Sequence, residues 1–216
     1  MVEGKNPSLH ADALGAVLDT LGEASFRVDR EQLSLTPNKA RFFGVLDLRN
    51  ELLPGVTLAV GIRNSIDQTF PLGFCAGSRV FVCDNLSFAS DLIVRRKHTR
   101  HGSLRFREDI AKAVHALGDF QDAEKARIIG MQQNELGVWE AEHLIVSAYE
   151  RGIISPRVLP EVLKAWRNPP ADFAAPTYWS LFNAFTTALK ERSQTQPQDF
   201  AVRTMRLYGL LKPSEN

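Results

Sequence analysis

Hydrophobic and polar residues follow two different patterns along the chain. Between residues 25 and 94, apolar residues form short runs bounded by turn residues, which is typical of β-strands. Such runs lie at residues 26–28, 33–35 and 43–48. After about residue 104, apolar positions recur at helical spacing. We therefore predict an α+β fold, with a mostly antiparallel sheet in the first half and helices in the second half. We expect one domain over residues 1–216, sheet-rich over 25–94 and helical over 104–212.

Two turns are expected within the sheet region. Leu53-Pro54-Gly55-Val56 is typical of a tight turn, because proline fixes φ and glycine tolerates a positive φ. This turn would connect strands at 41–48 and 56–62 in a hairpin. Gly77-Ser78 indicates a second turn, before a strand at 79–83.

Local signals indicate where several helices begin. Ser8 is the expected N-cap of a helix over residues 9–21. Ser155 followed by Pro156 predicts another start, since proline is favoured at the first helical position. Thr177 is the expected cap of a helix that begins at the next residue.

Aromatic side chains are concentrated in the helical half. They are Trp139, Trp166, Tyr178, Trp179, Phe182 and Phe185. Aromatic residues at helical spacing usually belong to the core rather than to a cofactor site, so we expect them to be buried. Asn183 lies within the last group and is either exposed or held in a buried hydrogen-bond network.

Composition excludes some classes of protein. The chain has 44% hydrophobic and 24% charged residues, as ordinary globular proteins do. No apolar run approaches the roughly 18 residues of a membrane span, so we expect no membrane partner. The N-terminus lacks a basic and apolar signal segment. Only two cysteines are present, Cys75 and Cys83. Without a disulfide framework, a reducing cytoplasm is the expected compartment.

Three separated motifs suggest a family. They are GIRNSID at 61–67, GSRVFVCDNL at 77–86 and YWSLFNAFTT at 178–187. The motifs and their order resemble those of the phage/plasmid-like protein family classed as domain of unknown function 932, over about residues 40–192 of this chain. In that family an N-S-x-D loop precedes a strand ending in C-x-N, and a later helix carries W-x-L-x-N-A-x-T. The resemblance implies an origin in phages or plasmids, and it implies no reaction.

The densest chemical feature is a basic segment at residues 95–107. Six Lys or Arg and two His fall within these thirteen residues, although the net charge of the whole chain is only +1. The candidate nucleic-acid-binding residues are Arg95, Arg96, Lys97, His98, Arg100, Arg105, Phe106 and Arg107. Clustered cations neutralise phosphates and release counterions, and Phe106 would stack on an exposed base. The alternative is a solvated connector whose charges pair with acids elsewhere. We predict that these cations lie largely on one exposed surface.

A second group of polar residues surrounds two expected strand ends. It consists of Asn64, Ser65, Asp67, Asp84 and Asn85. If the strands are neighbours, Asp67 and Asp84 would hold a divalent ion or act as an acid and base pair. The alternative is ordinary turn chemistry, in which such side chains bond the loop's own backbone, and the sequence favours it.

Cysteine and histidine residues suggest two weaker possibilities. Cys75, Cys83, His98 and His101 have the chemistry of zinc ligands, but the cysteines are not two to four residues apart as structural sites require. A thiolate pair of Cys83 with either histidine is the other possibility, without a surrounding signature. We expect both cysteines to be reduced and unligated.

The leading hypothesis is a nucleic-acid-binding accessory protein of phage or plasmid origin, with single-stranded DNA as the favoured partner. Single-strand binding or annealing by a homo-oligomer is its most specific form. The alternatives are a protein-interaction factor that modulates a host or phage machine, and a metal-dependent enzyme using the Asp67/Asp84 loop. No P-loop, dinucleotide fingerprint, nucleophile elbow or HExxH motif is present. We therefore assign no catalytic residue, metal or cofactor.

Overall fold

The computed structural model describes residues 9–80, 85–99, 102–190 and 197–212. The sheet-rich part contains α1 (His10–Glu23), β1 (Val28–Leu35), β2 (Arg41–Leu53), β3 (Val56–Ser65), β4 (Leu72–Val80) and β5 (Asn85–Arg96). The helical part contains α2 (Gly102–His115), α3 (Leu117–Gln133), α4 (Val138–Glu150), α5 (Leu159–Arg167), α6 (Tyr178–Ala188) and α7 (Pro197–Leu210). A short 3-10 turn, Ala171–Phe173, precedes α6. The predicted α+β fold is confirmed.

The chain divides into two compact units. The first consists of Met1–Arg79 with Ala89–Asp122, and the second consists of Val80–Phe88 with Ala123–Asn216. The single domain over residues 1–216 stays a prediction.

The described strands form an antiparallel meander in the order β1-β2-β3-β4-β5, which belongs to the first unit except for Val80 of β4 and residues 85–88 of β5. The hairpin between β2 and β3 is confirmed, and Gly55 at its turn has φ of +77°. The turn predicted at Gly77-Ser78 is wrong, because both residues are buried within β4. Glycine and serine are common in turns, but here they belong to a buried strand.

Helix α1 packs against one face of the sheet, which we call the α1 face. Its first residue, His10, places Nδ1 3.1 Å from the side-chain nitrogen of Asn64 and Nε2 2.9 Å from the Lys39 carbonyl oxygen. The His10 ring also contacts Phe42, with ring centroids 5.6 Å apart. The N-cap is Leu9, without a side-chain bond, and the predicted cap Ser8 lies outside the described residues.

The other face of the sheet, which we call the Arg79 face, carries charged residues among small ones. In the β2–β3 register, Phe43 lies opposite Arg63 and Asp47 lies opposite Ala59, and paired residues share a face. Arg79 of β4 reaches Asp47 from this side, with Nε 2.8 Å from Oδ1. Both side chains are buried, so an ion pair is part of the core of this unit.

In the second unit, α6 is buried on all sides over its first nine residues, as expected of a central helix. Thr177 caps it as predicted, with the hydroxyl oxygen accepting a hydrogen bond from the Ser180 backbone N–H at 3.2 Å. Asn183 is buried, and its side-chain amide donates to the Trp179 carbonyl oxygen at 2.9 Å. The buried-network alternative for Asn183 is therefore confirmed.

Two predictions in the second unit are wrong. Helix α5 begins at Leu159 rather than at Pro156, because residues 156–158 form a turn before the first helical residue. Trp139 is exposed, since α4 buries Ala141, Ile145 and Ala148 instead. Small residues on the other side of α4 allow the close packing of that face.

Candidate nucleic-acid interface

The basic segment occupies the end of β5 and the first turns of α2, within the first unit. Arg95 and Arg96 are the last residues of β5, and Lys97 and His98 follow it. Arg105, Phe106 and Arg107 belong to α2. Arg100 and His101 lie outside the described residues.

An ion pair ties the end of β5 to α2. The Arg96 Nε donates to the Asp109 Oδ2. This hydrogen bond holds the pKa of Asp109 below its usual value, and the nearby charges of Lys112 and Arg105 act in the same direction. One carboxylate is therefore surrounded by several cations.

These residues border an open depression of about 410 Å³ in the surface. Its lining consists of Ile93, Val94, Arg95, Arg96, Asp109, Lys112 and Ala113. Three cations and, among the described residues, a single carboxylate thus border the depression. Lys112 was missed by the sequence reasoning, although it lies seven residues after Arg105, which is the spacing of one helix face.

Most of the other predicted cations are exposed. Arg95, Lys97, Arg105 and Arg107 all have exposed side chains. Arg107 lies 3.8 Å from a carboxylate oxygen of Asp19, but both side chains are more than half exposed, so this pair contributes little to stability. These positive charges remain accessible to a ligand.

The prediction of one surface needs a correction. Consecutive strand residues point to opposite faces of a sheet. Arg96 pairs with Asp109 of α2, and α2 packs against α1. Arg95 instead lies close enough to Arg63, on the Arg79 face, to lower the pKa of that arginine. The segment therefore presents cations on both sides of β5, an end strand of the meander.

Phe106 and His98 are not ligand-facing residues. Phe106 is only 1% exposed, so stacking on a base from solvent is excluded. It shares the inner face of α2 with Ile110 and Val114, a spacing that the sequence already displayed. His98 is 8% exposed, and its Nε2 donates to the Phe70 carbonyl oxygen at 3.1 Å. Both residues support the segment from within.

The polar loop after β3 is held together by turn chemistry. Ser65 Oγ donates to the Phe70 carbonyl oxygen at 2.8 Å and accepts from the Phe70 N–H at 3.2 Å. Asp67 Oδ1 accepts hydrogen bonds from the hydroxyl and backbone N–H of Thr69. These bonds and the Arg41 guanidinium lower the pKa of Asp67. Asn64 is buried against His10, as described above.

This arrangement disfavours a cation site at the loop. Arg41 Nε lies 3.0 Å from Asp67, where a divalent ion would have to bind. Within the residues that the structure describes, no three His, Cys, Asp or Glu side chains are grouped to hold a metal ion. Asp84 lies outside the described residues, and the side chain of Asn85 is not among those described.

Cys75 is a free, half-buried thiol on β4. Its Sγ lies 3.8 Å from the Gly61 carbonyl oxygen, and burial raises the pKa of the thiol to about 12. A thiol with this pKa is protonated near neutral pH and is a poor nucleophile. Cys83, the other candidate, lies outside the described residues.

Comparison of the chain with protein-family models, with curated proteins and with solved structures gives no match. The resemblance to the phage/plasmid-like family therefore stays a prediction. Among the helices that the structure describes, none is long and apolar enough to cross a membrane.

Proposed function

We propose that this protein binds nucleic acid through the depression between β5 and α2 and through the exposed cations beside it. The observation that carries the proposal is the excess of positive charge around that depression, which Arg95, Arg96 and Lys112 border together with one described carboxylate, that of Asp109. A chain of phosphates replaces small counterions at such a surface, and their release drives binding. Single-stranded DNA is the favoured partner.

The more specific form of the proposal is an accessory protein of phage or plasmid origin that works in the cytoplasm. The three sequence motifs support the origin, and the free thiol of Cys75 fits a reducing compartment. Single-strand binding or annealing would use several copies along one strand. Repeated weak contacts then add through a high effective concentration.

A binding titration tests this function directly. Labelled single-stranded and double-stranded DNA and RNA are titrated with the protein at low and at moderate salt. We expect binding at low salt, strongest for single strands, that weakens steeply as salt rises. Absence of binding to all four ligands at low salt would refute the proposal.

A second candidate function, protein interaction, is favoured by a different surface. In the second unit, the exposed side of α4 carries Trp139, 87% exposed, together with Val138, Val146 and Tyr149. Exposed aromatic and aliphatic residues on one helix face are typical of a protein-binding surface. Replacing Trp139 and Val146 with serine would abolish such an interaction and leave nucleic-acid affinity unchanged.

A further inference from the structure

Arg63 has an unusual position on the Arg79 face of the sheet. It belongs to β3, and its side chain lies across Gly73 of β4. A Cβ atom at Gly73 would come within 3.0 Å of the Arg63 Nε and 3.5 Å of the Val94 carbonyl oxygen. Glycine at this point therefore leaves the space through which Arg63 extends toward β5 and Arg95.

The guanidinium group of Arg63 packs against the ring of Phe70. Its guanidinium carbon lies 5.5 Å from the centre of the Phe70 ring. The backbone of Phe70 is held by Ser65 and by His98, as described above. Within the described residues, the buried Nδ1 of His98 has no hydrogen-bond partner. Cation–π contact and these hydrogen bonds preorganise the arginine without neutralising its charge.

Within the part of the chain that the structure describes, the charge of Arg63 is not balanced by a carboxylate. Among the residues that the structure describes, no acidic side chain forms an ion pair with Arg63 or with Arg95. Burial and the neighbouring charge of Arg95 lower the pKa of Arg63. A half-buried cation beside another cation is unfavourable unless an anion binds there. The charge of Arg79, on the same face, is balanced by an ion pair with the carboxylate of Asp47.

We propose that Arg63 and Arg95 together bind one phosphate group on the Arg79 face. Guanidinium groups bind phosphate oxygens with paired hydrogen bonds, and the negative charge of one phosphate would offset the repulsion between the two arginines. The inference rests on the proposed function in assigning that phosphate to a nucleic-acid backbone. Arg95 borders the depression as well, so contacts on both sides of β5 suit a flexible single strand that bends around this strand.

Two substitutions and one matched control test the site. Arg63→Gln removes the charge and keeps a polar side chain, and Arg63→Lys keeps the charge but loses the paired donors. Arg49→Gln is the control, because Arg49 is an exposed arginine of the same sheet, on β2. Affinity for single-stranded DNA is measured as a function of salt. Binding of inorganic phosphate is measured separately, from the NMR signals of the arginine Nε–H groups.

We expect Arg63→Gln to weaken DNA binding by about tenfold relative to Arg49→Gln, as removal of a charge-assisted hydrogen bond does. The salt slope should fall by about 0.7 for each phosphate that the variant no longer neutralises. Arg63→Lys should lie between Arg63→Gln and the parent. Inorganic phosphate should shift the Arg63 and Arg95 signals together and leave the Arg49 signal in place.

The outcomes separate this site from the proposed function. If the parent binds DNA and Arg63→Gln equals Arg49→Gln, the site is refuted and the function stands. If phosphate shifts the Arg63 signal but no nucleic acid binds, the phosphate site stands and the function fails. If Arg63→Gln does not fold, Arg95→Gln takes its place, because Arg95 is exposed. An unchanged affinity for that variant would refute the site equally.

Discussion

The Nε of Arg79 lies 2.8 Å from the Oδ1 of Asp47, although one strand separates β4 from β2. The side chain crosses β3 where Ala59 is paired with Asp47, and its terminal nitrogen reaches Gln32 of β1 at 2.7 Å. One buried arginine of β4 thus forms hydrogen bonds with β2 and β1. The side chain of Arg63, on the same face, lies across Gly73 of β4. The charge beside it is another cation, Arg95, and not a carboxylate of the described residues. We infer that the first arginine stabilises the sheet and that the second binds a ligand.

Replacing Arg79 with methionine should strongly destabilise the protein. The variant leaves Asp47 buried without its cation, which typically costs about 3–5 kcal/mol. Urea denaturation followed by circular dichroism measures the free energy of unfolding. Arg49→Gln, which removes only an exposed pair with Asp29, should cost less than about 1 kcal/mol. Equal losses for both variants would contradict the buried role of Arg79.

Phe106 should affect stability and leave binding unchanged. Phe106→Ala should lower the free energy of unfolding by about 3–5 kcal/mol, because it creates a cavity in the core. Phe106→Leu should fold and bind single-stranded DNA as the parent does. Thermal melting and a DNA titration measure the two effects. A large loss of affinity in a fully folded Phe106→Leu would show that the ring contacts the ligand.

Much of the fold could be predicted from the sequence, because periodicity reports which residues face a core. The β2–β3 hairpin and the Thr177 cap follow from local rules that the structure obeys. The turn expected at Gly77-Ser78 fails, because tertiary packing covers β4 there and local preference does not decide. The predicted burial of Trp139 is wrong for a similar reason, because α4 packs through a face of mostly small residues on its other side.

The candidate site was only partly predictable. The density of cations at residues 95–107 identified the region, and the helical spacing of Phe106 and Ile110 would have excluded Phe106. The ion pair between Arg96 and Asp109 depends on how β5 meets α2, which the sequence does not specify. Arg63 could not be recognised from the sequence as a candidate phosphate-binding residue. Its position depends on Gly73 and Arg95, which lie in other strands of the sheet.

Asp109→Asn should increase the affinity for nucleic acid. The substitution removes the only carboxylate among the described residues that border the depression, and it releases Arg96 for phosphate. A salt-dependent DNA titration, compared with the exposed control Asp29→Asn, measures the change. Weaker or unchanged binding by Asp109→Asn would show that the depression does not meet phosphate.

The pair of Asp109 with Arg96 also predicts a dependence on pH. The folded pKa of Asp109 is lowered, so the stabilisation is complete above the unfolded value of about 3.9. It is lost as the pH falls through the lower, folded value. The parent should therefore lose slightly more stability than Asp109→Asn across this range in urea denaturation. If the free energies of unfolding of the parent and of Asp109→Asn depended on pH identically, the ion pair between Asp109 and Arg96 would be contradicted.

Cys75 should resist alkylation in the folded protein. Burial raises the pKa of its thiol to about 12, so almost no thiolate is present at pH 8. Iodoacetamide treatment followed by peptide mass spectrometry measures Cys75 separately from Cys83. Modification should become fast after denaturation in urea. Rapid modification of Cys75 in the native state would contradict the raised pKa of its thiol.

The most direct test of the proposed function is the salt dependence of single-stranded DNA binding by a triple variant, Lys97→Ala, Arg105→Ala and Lys112→Ala. These three cations are exposed and lie in or beside the basic segment, so the variant should fold normally. The matched control is Arg49→Ala, Arg151→Ala and Lys164→Ala. These residues are also exposed, and their replacement changes the net charge equally. We predict weaker binding at every salt concentration for the first variant, and a salt slope smaller by about 0.7 for each phosphate that is no longer neutralised. Equal affinities and slopes for the two variants would contradict the account.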